Sequence, residues 1–261
     1  MEKRFWIGTS WKMNKTLSEA KAYASVLRQS AVWGTVGLRG FVVPPFTALA
    51  AVARELEGSP ILVGAQTMHW ADHGPYTGEI SPRMVVDCGA RIVELGHSER
   101  RGSFGETDRD VNRKVKAALG HGLRPLVCVG ETAEENRVGA GPETVSRQVK
   151  MAFHGVDARL FSRALIAYEP VWAIGEQGRP ASADYANAMH GTIRAVLAGL
   201  SPEGASVPIL YGGSVAEGNS AALALQPEVD GLFVGRAAWE AEGFLRIVES
   251  VVAVVAAEAP V

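Results

Sequence analysis

The sequence predicts a single α/β domain folded as a (β/α)8 barrel. Its 261 residues match the roughly 250 that such a barrel needs. Eight short apolar runs recur along the chain, and stretches with helical periodicity separate most of them. No linker interrupts this alternation, so we expect one domain over residues 1–261. A doubly wound open sheet is the alternative, because alternation alone does not show that a sheet closes.

The apolar runs give the predicted strands, and the periodic stretches give the clearest helices. Strands are predicted at residues 5–7, 41–43, 61–63, 92–95, 126–129, 165–167, 209–211 and 232–234. Helices are predicted at residues 17–27, 111–119, 185–200 and 244–255. Thr16 and Glu19 have the spacing of a capping box in front of the first helix.

Composition excludes several classes of protein. A hydrophobic fraction of 47% with 21% charged residues is ordinary for a globular protein, and the net charge of −2 does not indicate a nucleic-acid or membrane surface. Two cysteines, Cys88 and Cys128, favour the cytosol over a disulfide framework. The first residues lack a signal-peptide pattern, and the apolar tail is far shorter than the ~18 residues of a membrane helix.

Unusual polar residues and glycines follow several predicted strands. In a parallel barrel, the carboxyl ends of the strands carry the catalytic groups. The positions concerned are Ser10 and Lys12, residues 97–101, Glu169, residues 212–214, and Gly235 with Arg236. Each has an ordinary alternative: a solvated lysine, a surface histidine, a glycine turn, or an ion pair between Glu99 and Arg100. Their coincidence at one rim favours a functional site.

These residue types allow proton transfer. Glu169 ends a buried strand, where an isolated carboxylate is costly, and is a candidate general base. His97 can polarise a carbonyl or shuttle a proton, and Lys12 can stabilise a developing enediolate. Glycine-rich turns after the last two strands are typical of phosphate binding by backbone N–H groups. No metal-ligand spacing, nucleophile elbow or dinucleotide fingerprint is present, so we expect no cofactor and no metal. Together they indicate proton transfer beside the carbonyl of a small sugar phosphate.

Six segments resemble the triosephosphate isomerase family across essentially the whole chain. They are Trp11-Lys12-Met13-Asn14, Tyr76-Thr77-Gly78-Glu79-Ile80-Ser81, Glu94-Leu95-Gly96-His97-Ser98-Glu99-Arg100-Arg101, Tyr168 with residues 169–175, Tyr211-Gly212-Gly213-Ser214-Val215, and Asp230-Gly231. The resemblance implies the barrel named after that family, the TIM barrel. It also implies an isomerase that acts as an intramolecular oxidoreductase on a small phosphorylated sugar.

The resemblance also implies roles, residue by residue. Glu169 resembles the base, His97 the electrophile and Lys12 the cation. The supporting residues would be Ser98 behind the histidine, Glu99 holding Lys12, and Cys128 near the base, although a small buried residue explains Cys128 equally well. Residues 171–175 resemble a closing lid, and Gly175, Gly213, Ser214 and Gly235 would bind the phosphate. The loop with Thr77 implies a homodimer, and Arg100 with Glu106 matches a structural ion pair.

Four departures from the family pattern are predicted to surround the substrate. Ser10 replaces the usual asparagine, Thr67 follows Ala65-Gln66 where asparagine is usual, the lid at residues 175–179 is one residue longer, and Gly235-Arg236 replaces a glycine pair. Arg236 would either reinforce phosphate binding or point to solvent.

These departures favour a larger substrate with the same chemistry. The chain resembles the branch of the family assigned to four-carbon polyol catabolism, whose members convert L-erythrulose 1-phosphate to D-erythrulose 4-phosphate. The triose reaction, dihydroxyacetone phosphate to glyceraldehyde 3-phosphate, is the alternative. A phosphate-binding protein without catalysis is disfavoured by the retained Glu169, His97 and Lys12. A lyase that eliminates phosphate is disfavoured by the complete lid.

Overall fold

Eight parallel strands form a closed barrel in the computed structural model, which describes residues 5–175 and 178–255. The strands are β1 (Phe5–Ser10), β2 (Leu38–Val43), β3 (Leu62–Ala65), β4 (Ile92–Leu95), β5 (Arg124–Val129), β6 (Leu165–Tyr168), β7 (Ile209–Tyr211) and β8 (Gly231–Val234). Each strand pairs with the next, and β1 pairs with β8 from Trp6 opposite Gly231 to Thr9 opposite Val234. This last pairing closes the sheet, so the (β/α)8 barrel is confirmed and the open sheet is excluded.

Helices lie between the strands and after the last one. They are α1 (Leu17–Gln29), α2 (Phe46–Glu55), α3 (Pro82–Asp87), α4 (Ser98–Phe104), α5 (Asp108–Gly120), α6 (Ala133–Arg137), α7 (Gly141–Phe153), α8 (Ala183–Leu200), α9 (Glu217–Ala224) and α10 (Ala241–Val255). The four predicted helices lie within α1, α5, α8 and α10. At the start of α1, the Glu19 carboxylate accepts hydrogen bonds from the Thr16 backbone N and from its Oγ1, both at 2.7 Å.

Six of the eight strands differ from their predicted bounds by one to three residues, and β2, β3 and β5 show the kinds of difference. β2 begins at Leu38, because Arg39 and Gly40 interrupt the apolar run without interrupting the pairing to β1. A Cβ atom at Gly40 would lie 2.3 Å from the Trp33 ring, so the glycine lets this tryptophan pack directly against the strand. β5 likewise begins at Arg124, two residues earlier than predicted, and β3 is shifted to Leu62–Ala65.

Side-chain alternation along the strands separates two apolar layers. Side chains such as Leu165 and Ala167 of β6 belong to a cluster inside the barrel, whereas Ile166 and Tyr168 pack outward under the helices. This period of two extends past the last strand residue. The side chain of Glu169 therefore points into the mouth of the barrel rather than into the helix layer.

No helix in the described part of the chain has both the length and the apolar character that crossing a bilayer requires.

Candidate active site

Glu169, the predicted base, lies directly after β6 and is 3% exposed. Its backbone N donates to the Val129 carbonyl at 2.7 Å, which continues the pairing between β5 and β6. Two glycines leave room for it: a Cβ atom at Gly130 would lie 1.9 Å from the Glu169 carbonyl oxygen, and one at Gly212 would lie 2.9 Å from Cγ. Its Oε1 atom is 3.5 Å from Nε2 of His97. The base and the electrophile predicted from separate strands therefore face each other.

His97 precedes α4, whose first residue is Ser98, and its Nδ1 accepts a hydrogen bond from the Glu99 backbone N at 3.2 Å. In the neutral ring the proton is therefore on Nε2, which faces Glu169. Burial lowers the pKa of His97, but the carboxylates of Glu169 and Glu94 outweigh that effect and hold the pKa above its ordinary value of 6.5. The ring is placed to hydrogen-bond an oxygen of a molecule lying against Glu169.

Lys12 follows β1 with a backbone φ of 53°, in the left-handed region that side-chain-bearing residues rarely adopt. Its carbonyl accepts a hydrogen bond from Gln66 Nε2 at 2.8 Å, and its Nζ lies 2.6 Å from Glu99 Oε1. Such backbone strain costs about 1–3 kcal/mol and is concentrated at functional sites. The ion pair expected between Lys12 and Glu99 is present.

Ser10 ends β1 and is buried at the same mouth of the barrel. Its Oγ donates to Glu94 Oε2 at 2.9 Å. Glu94 lies on β4, is 2% exposed, and has its other oxygen, Oε1, 3.9 Å from His97 Nε2. Burial raises the pKa of Glu94 to about 7, so this carboxyl is largely protonated below neutral pH.

Glu94 is not among the site residues predicted from the sequence. The available signal was a charged residue inside the apolar run of β4, two positions after Ile92, which belongs to the cluster inside the barrel. Alternation predicts that residues 92 and 94 share the inner face. A charged residue on that face of a barrel strand is a site candidate by the same reasoning that selected Glu169.

The residues predicted to bind phosphate follow the last two strands. Gly213 and Ser214 come after β7, and Gly235 and Arg236 come after β8, so both pairs lie at the rim that carries Glu169. A Cβ atom at Gly213 would lie 2.2 Å from the Tyr211 hydroxyl oxygen, which makes glycine necessary at that position. Arg236 is exposed and opens a single 3-10 turn, Arg236–Ala238.

The segment resembling a lid is fixed at its first turn by a buried carboxylate. Trp172 Nε1 donates to Glu131 Oε1 at 2.6 Å, and Glu131 also accepts from the hydroxyls of Tyr168 and Tyr185 at 3.1 and 3.0 Å. Gly175, at the other end of this segment, has a φ of 86°, in the left-handed region that favours glycine. Glu176 and Gln177, where the lid departs from the family pattern, lie outside the described residues.

The ion pair predicted between Arg100 and Glu106 is present, with Arg100 Nε 3.5 Å from Glu106 Oε2. The buried Lys114 also pairs with Glu106, a contact that was not predicted from the sequence. Lys114 Nζ donates in addition to Thr67 Oγ1 at 3.1 Å. Thr67, one of the four departures, therefore supports this buried network.

Comparison with known proteins agrees with this geometry. The sequence model described as triosephosphate isomerase matches residues 5–251. The chain belongs to the triosephosphate isomerase family. It is an isomerase, and both the resemblance and the enzyme class predicted from the sequence are confirmed.

Three curated relatives within this family carry a more specific name, L-erythrulose-1-phosphate isomerase. The protein from Brucella abortus biovar 1 (strain 9-941) is 51% identical over 245 residues, covering 94% of this chain and 95% of the relative. The one from Mesorhizobium japonicum is 52% identical over 244 residues, with 93% and 95% covered. The one from Rhizobium etli is 50% identical over 256 residues, with 98% and 95% covered.

In the described part of the chain, one set of side chains lies close enough together to bind a single cation. Ligand atoms of Glu94, Cys128 and Glu169 all lie within 4.8 Å of one another. Burial raises the pKa of the Cys128 thiol well above its ordinary 9.0, so the sulfur carries its proton at neutral pH. The sulfur in this set is therefore a neutral thiol, whereas a metal ion would bind the thiolate.

The raised pKa of Glu94 predicts a pH dependence of stability. The folded state binds this proton more tightly than the unfolded chain, whose carboxyl titrates near the ordinary 4.5. The stabilisation is therefore complete below that value and is lost as the pH rises through about 7. Relative to Glu94→Gln, the free energy of unfolding of the wild type should fall by about 3 kcal/mol between pH 4 and pH 8. Denaturant unfolding across this range measures it, and parallel pH profiles for the two proteins would contradict it.

Proposed function

We propose that this protein isomerises a tetrulose phosphate, L-erythrulose 1-phosphate, to D-erythrulose 4-phosphate. The observation that carries the proposal is the Glu169–His97 pair, 3.5 Å apart, with Ser10 beside it where the family usually has asparagine. The name of three relatives at 50–52% identity supports the choice of substrate. Four-carbon polyol catabolism in the cytoplasm would be the setting.

Glu169 would remove the proton from the carbon that bears the substrate hydroxyl, next to the ketone. The electrons of that C–H bond form the double bond of an enediolate, and the carbonyl oxygen takes up negative charge. His97 Nε2 would hydrogen-bond the two enediolate oxygens and move a proton between them. Glu169 would then return its proton to the neighbouring carbon, which becomes the new CH–OH centre, so no oxidant or cofactor is consumed.

Lys12 would stabilise the same intermediate electrostatically. Its ammonium group is held by Glu99 at 2.6 Å, and its backbone is held by Gln66 at 2.8 Å. A fixed positive charge in a site with little water stabilises a developing enediolate without reorganising during the reaction. The strained φ of Lys12 is consistent with a side chain placed for this purpose.

Backbone N–H groups of Gly175, Gly213, Ser214 and Gly235 would hold the phosphate at the far end of the substrate. The exposed Arg236 would add a guanidinium group to this end. The carbonyl and the phosphate keep their spacing between triose and tetrulose substrates. The extra hydroxymethyl group must therefore be accommodated at the opposite end, near Ser10.

We also propose a homodimer. Thr77 is exposed on its loop, as is Tyr76, and Met13 beside Lys12 is 96% exposed. Large apolar side chains this exposed near an active site favour burial against a second copy of the chain. Light scattering should give twice the mass of the 27.7-kDa chain, and a monomeric mass at micromolar concentration would contradict the proposal.

Product analysis in D2O tests the proposed reaction. Purified protein is incubated with L-erythrulose 1-phosphate, and carbon NMR follows the product. We expect D-erythrulose 4-phosphate with deuterium on the carbon that was the ketone, because the base exchanges its proton with solvent. Release of inorganic phosphate would indicate a lyase instead, and the absence of any product with the tetrulose would contradict the proposal.

A pair of substitutions should shift the substrate preference. Ser10→Asn together with Arg236→Gly restores the family residues at two of the four departures. We expect the ratio of kcat/KM for tetrulose over triose phosphate to fall by about 10- to 100-fold, since one misfitting group in a pocket is worth about 1–3 kcal/mol. An unchanged ratio would mean that these positions do not determine the substrate.

A further inference from the structure

The side chain of Glu94 is buried at the mouth of the barrel with one oxygen unused. Its Oε2 accepts the Ser10 hydroxyl, but its Oε1 has no hydrogen-bond partner in the described part of the chain. The residue is 2% exposed, so neither oxygen is well solvated. Burying a carboxyl group without its hydrogen bonds is costly. The free oxygen therefore requires a partner other than the residues that the structure describes.

The direction in which this oxygen points is fixed by its neighbours. Oε1 of Glu94 is 3.9 Å from His97 Nε2, which in turn is 3.5 Å from Glu169 Oε1. Ligand atoms of Glu94, Glu169 and Cys128 lie within 4.8 Å of one another. The unused oxygen thus faces the space between the proposed base and the proposed electrophile, where a reacting carbon must lie.

The proposed substrate has one group that a triose phosphate lacks. The extra hydroxymethyl is attached to the reacting carbon, the atom that gives up its proton to Glu169. It must therefore occupy a position adjacent to both Glu169 and His97. Ser10 borders the same region, since its Oγ lies 2.9 Å from Glu94 Oε2. Its side chain is shorter than the asparagine that is usual in the family.

We propose that Glu94, oriented by Ser10, determines substrate specificity by hydrogen-bonding the terminal hydroxyl of the tetrulose phosphate. This inference rests on the proposed function and assigns the residue that recognises the fourth carbon. Glu94 acts on binding and preference, whereas Glu169 performs the proton transfer.

The protonation state of Glu94 suits this role. Burial, together with the neighbouring Glu169, raises its pKa to about 7 against the opposing effects of His97, Ser10 and Lys12. A protonated carboxyl group both donates and accepts, which matches a hydroxyl group that also does both. It also avoids a second full negative charge beside the proposed base.

A substrate analogue tests the inference on the unaltered protein. In the 4-deoxy analogue of L-erythrulose 1-phosphate, a methyl group replaces the hydroxymethyl, so the fourth carbon is kept while the hydroxyl oxygen and its hydrogen bonds are lost. We expect the wild-type kcat/KM to fall by about 100-fold or more, because the buried carboxyl is left without its partner. Equal kcat/KM for substrate and analogue would overturn the inference whatever any variant does.

Two variants then locate the recognising group. Glu94→Leu should abolish the discrimination against the analogue, so that kcat/KM for the substrate and for the 4-deoxy analogue differ by less than about threefold. Glu94→Gln keeps one donor and one acceptor and should retain most of the discrimination. A merely structural role would lower both values of kcat/KM together and leave their ratio at the wild-type level, which would overturn the inference.

The wild-type measurements separate failure of this inference from failure of the proposed function. If the protein prefers L-erythrulose 1-phosphate over dihydroxyacetone phosphate but has the same kcat/KM for the 4-deoxy analogue, the proposed function stands and the proposed role of Glu94 is wrong. If the protein does not turn over the tetrulose phosphate, both the proposed function and the proposed role of Glu94 are wrong.

Discussion

Replacing Glu169 by glutamine is expected to lower kcat by about 10³-fold or more while leaving KM within about threefold. Glutamine keeps the shape of the side chain but cannot accept the substrate proton, and general base catalysis contributes roughly 10²–10⁴-fold. The phosphate and carbonyl contacts do not involve this group. Steady-state kinetics measure the effect, and exchange of substrate hydrogen with D2O should be lost in parallel.

A second buried carboxylate provides the matched control. Glu131 is fully buried and bonded to Tyr168 and Trp172 rather than facing His97. Glu131→Gln should lower kcat far less than Glu169→Gln does. Equal losses would mean that any change to a buried carboxylate here is damaging. Unchanged turnover in Glu169→Gln would show that another group is the base.

Replacing Lys12 by methionine is expected to lower kcat/KM by about 10²–10³-fold, through a higher KM and a lower kcat together. Methionine keeps the length of the side chain but removes the charge that would meet the anionic substrate and the enediolate. Losing one such electrostatic partner costs about 3–4 kcal/mol in the transition state. Glu99, which loses its partner, is 53% exposed, so we expect little change in the free energy of unfolding.

Lys15 offers a control for Lys12 with the same chemistry. It also has a left-handed backbone, with a φ of 76°, but its Nζ donates to the Trp239 carbonyl at 2.6 Å. Lys15→Met should change kcat/KM by less than about threefold. Similar losses in both variants would indicate a general effect of charge, and an active Lys12→Met enzyme would remove the proposed electrostatic role.

The sequence was sufficient to predict the architecture, because eight apolar runs separated by helical stretches allow few arrangements. It was not sufficient to show closure, since the pairing of Trp6 with Gly231 joins the two ends of the chain. Strand bounds were missed where a local residue contradicted the apolar pattern. Gly40, for example, interrupts a run in the sequence but accommodates the Trp33 ring in the structure.

The site residues that the sequence predicted are charged or polar residues that follow an apolar strand. Glu169, His97 and Lys12 each follow a strand, and the structure brings them to one mouth of the barrel. Glu94 was not predicted, because its position in the site becomes clear only from the inner face of β4 and from its neighbours on and after β1 and β6. The lid contact between Trp172 and Glu131 was missed for the same reason, since it joins residues distant in the chain.

The most direct test of the central claim is a comparison of kcat/KM for L-erythrulose 1-phosphate and dihydroxyacetone phosphate under the same conditions. Specificity is the ratio of these two values. A protein built for the four-carbon substrate should prefer the tetrulose by about 100-fold or more. Turnover of the triose approaching the diffusional ceiling of about 10⁸–10⁹ M⁻¹s⁻¹, and faster than that of the tetrulose, would contradict the claim.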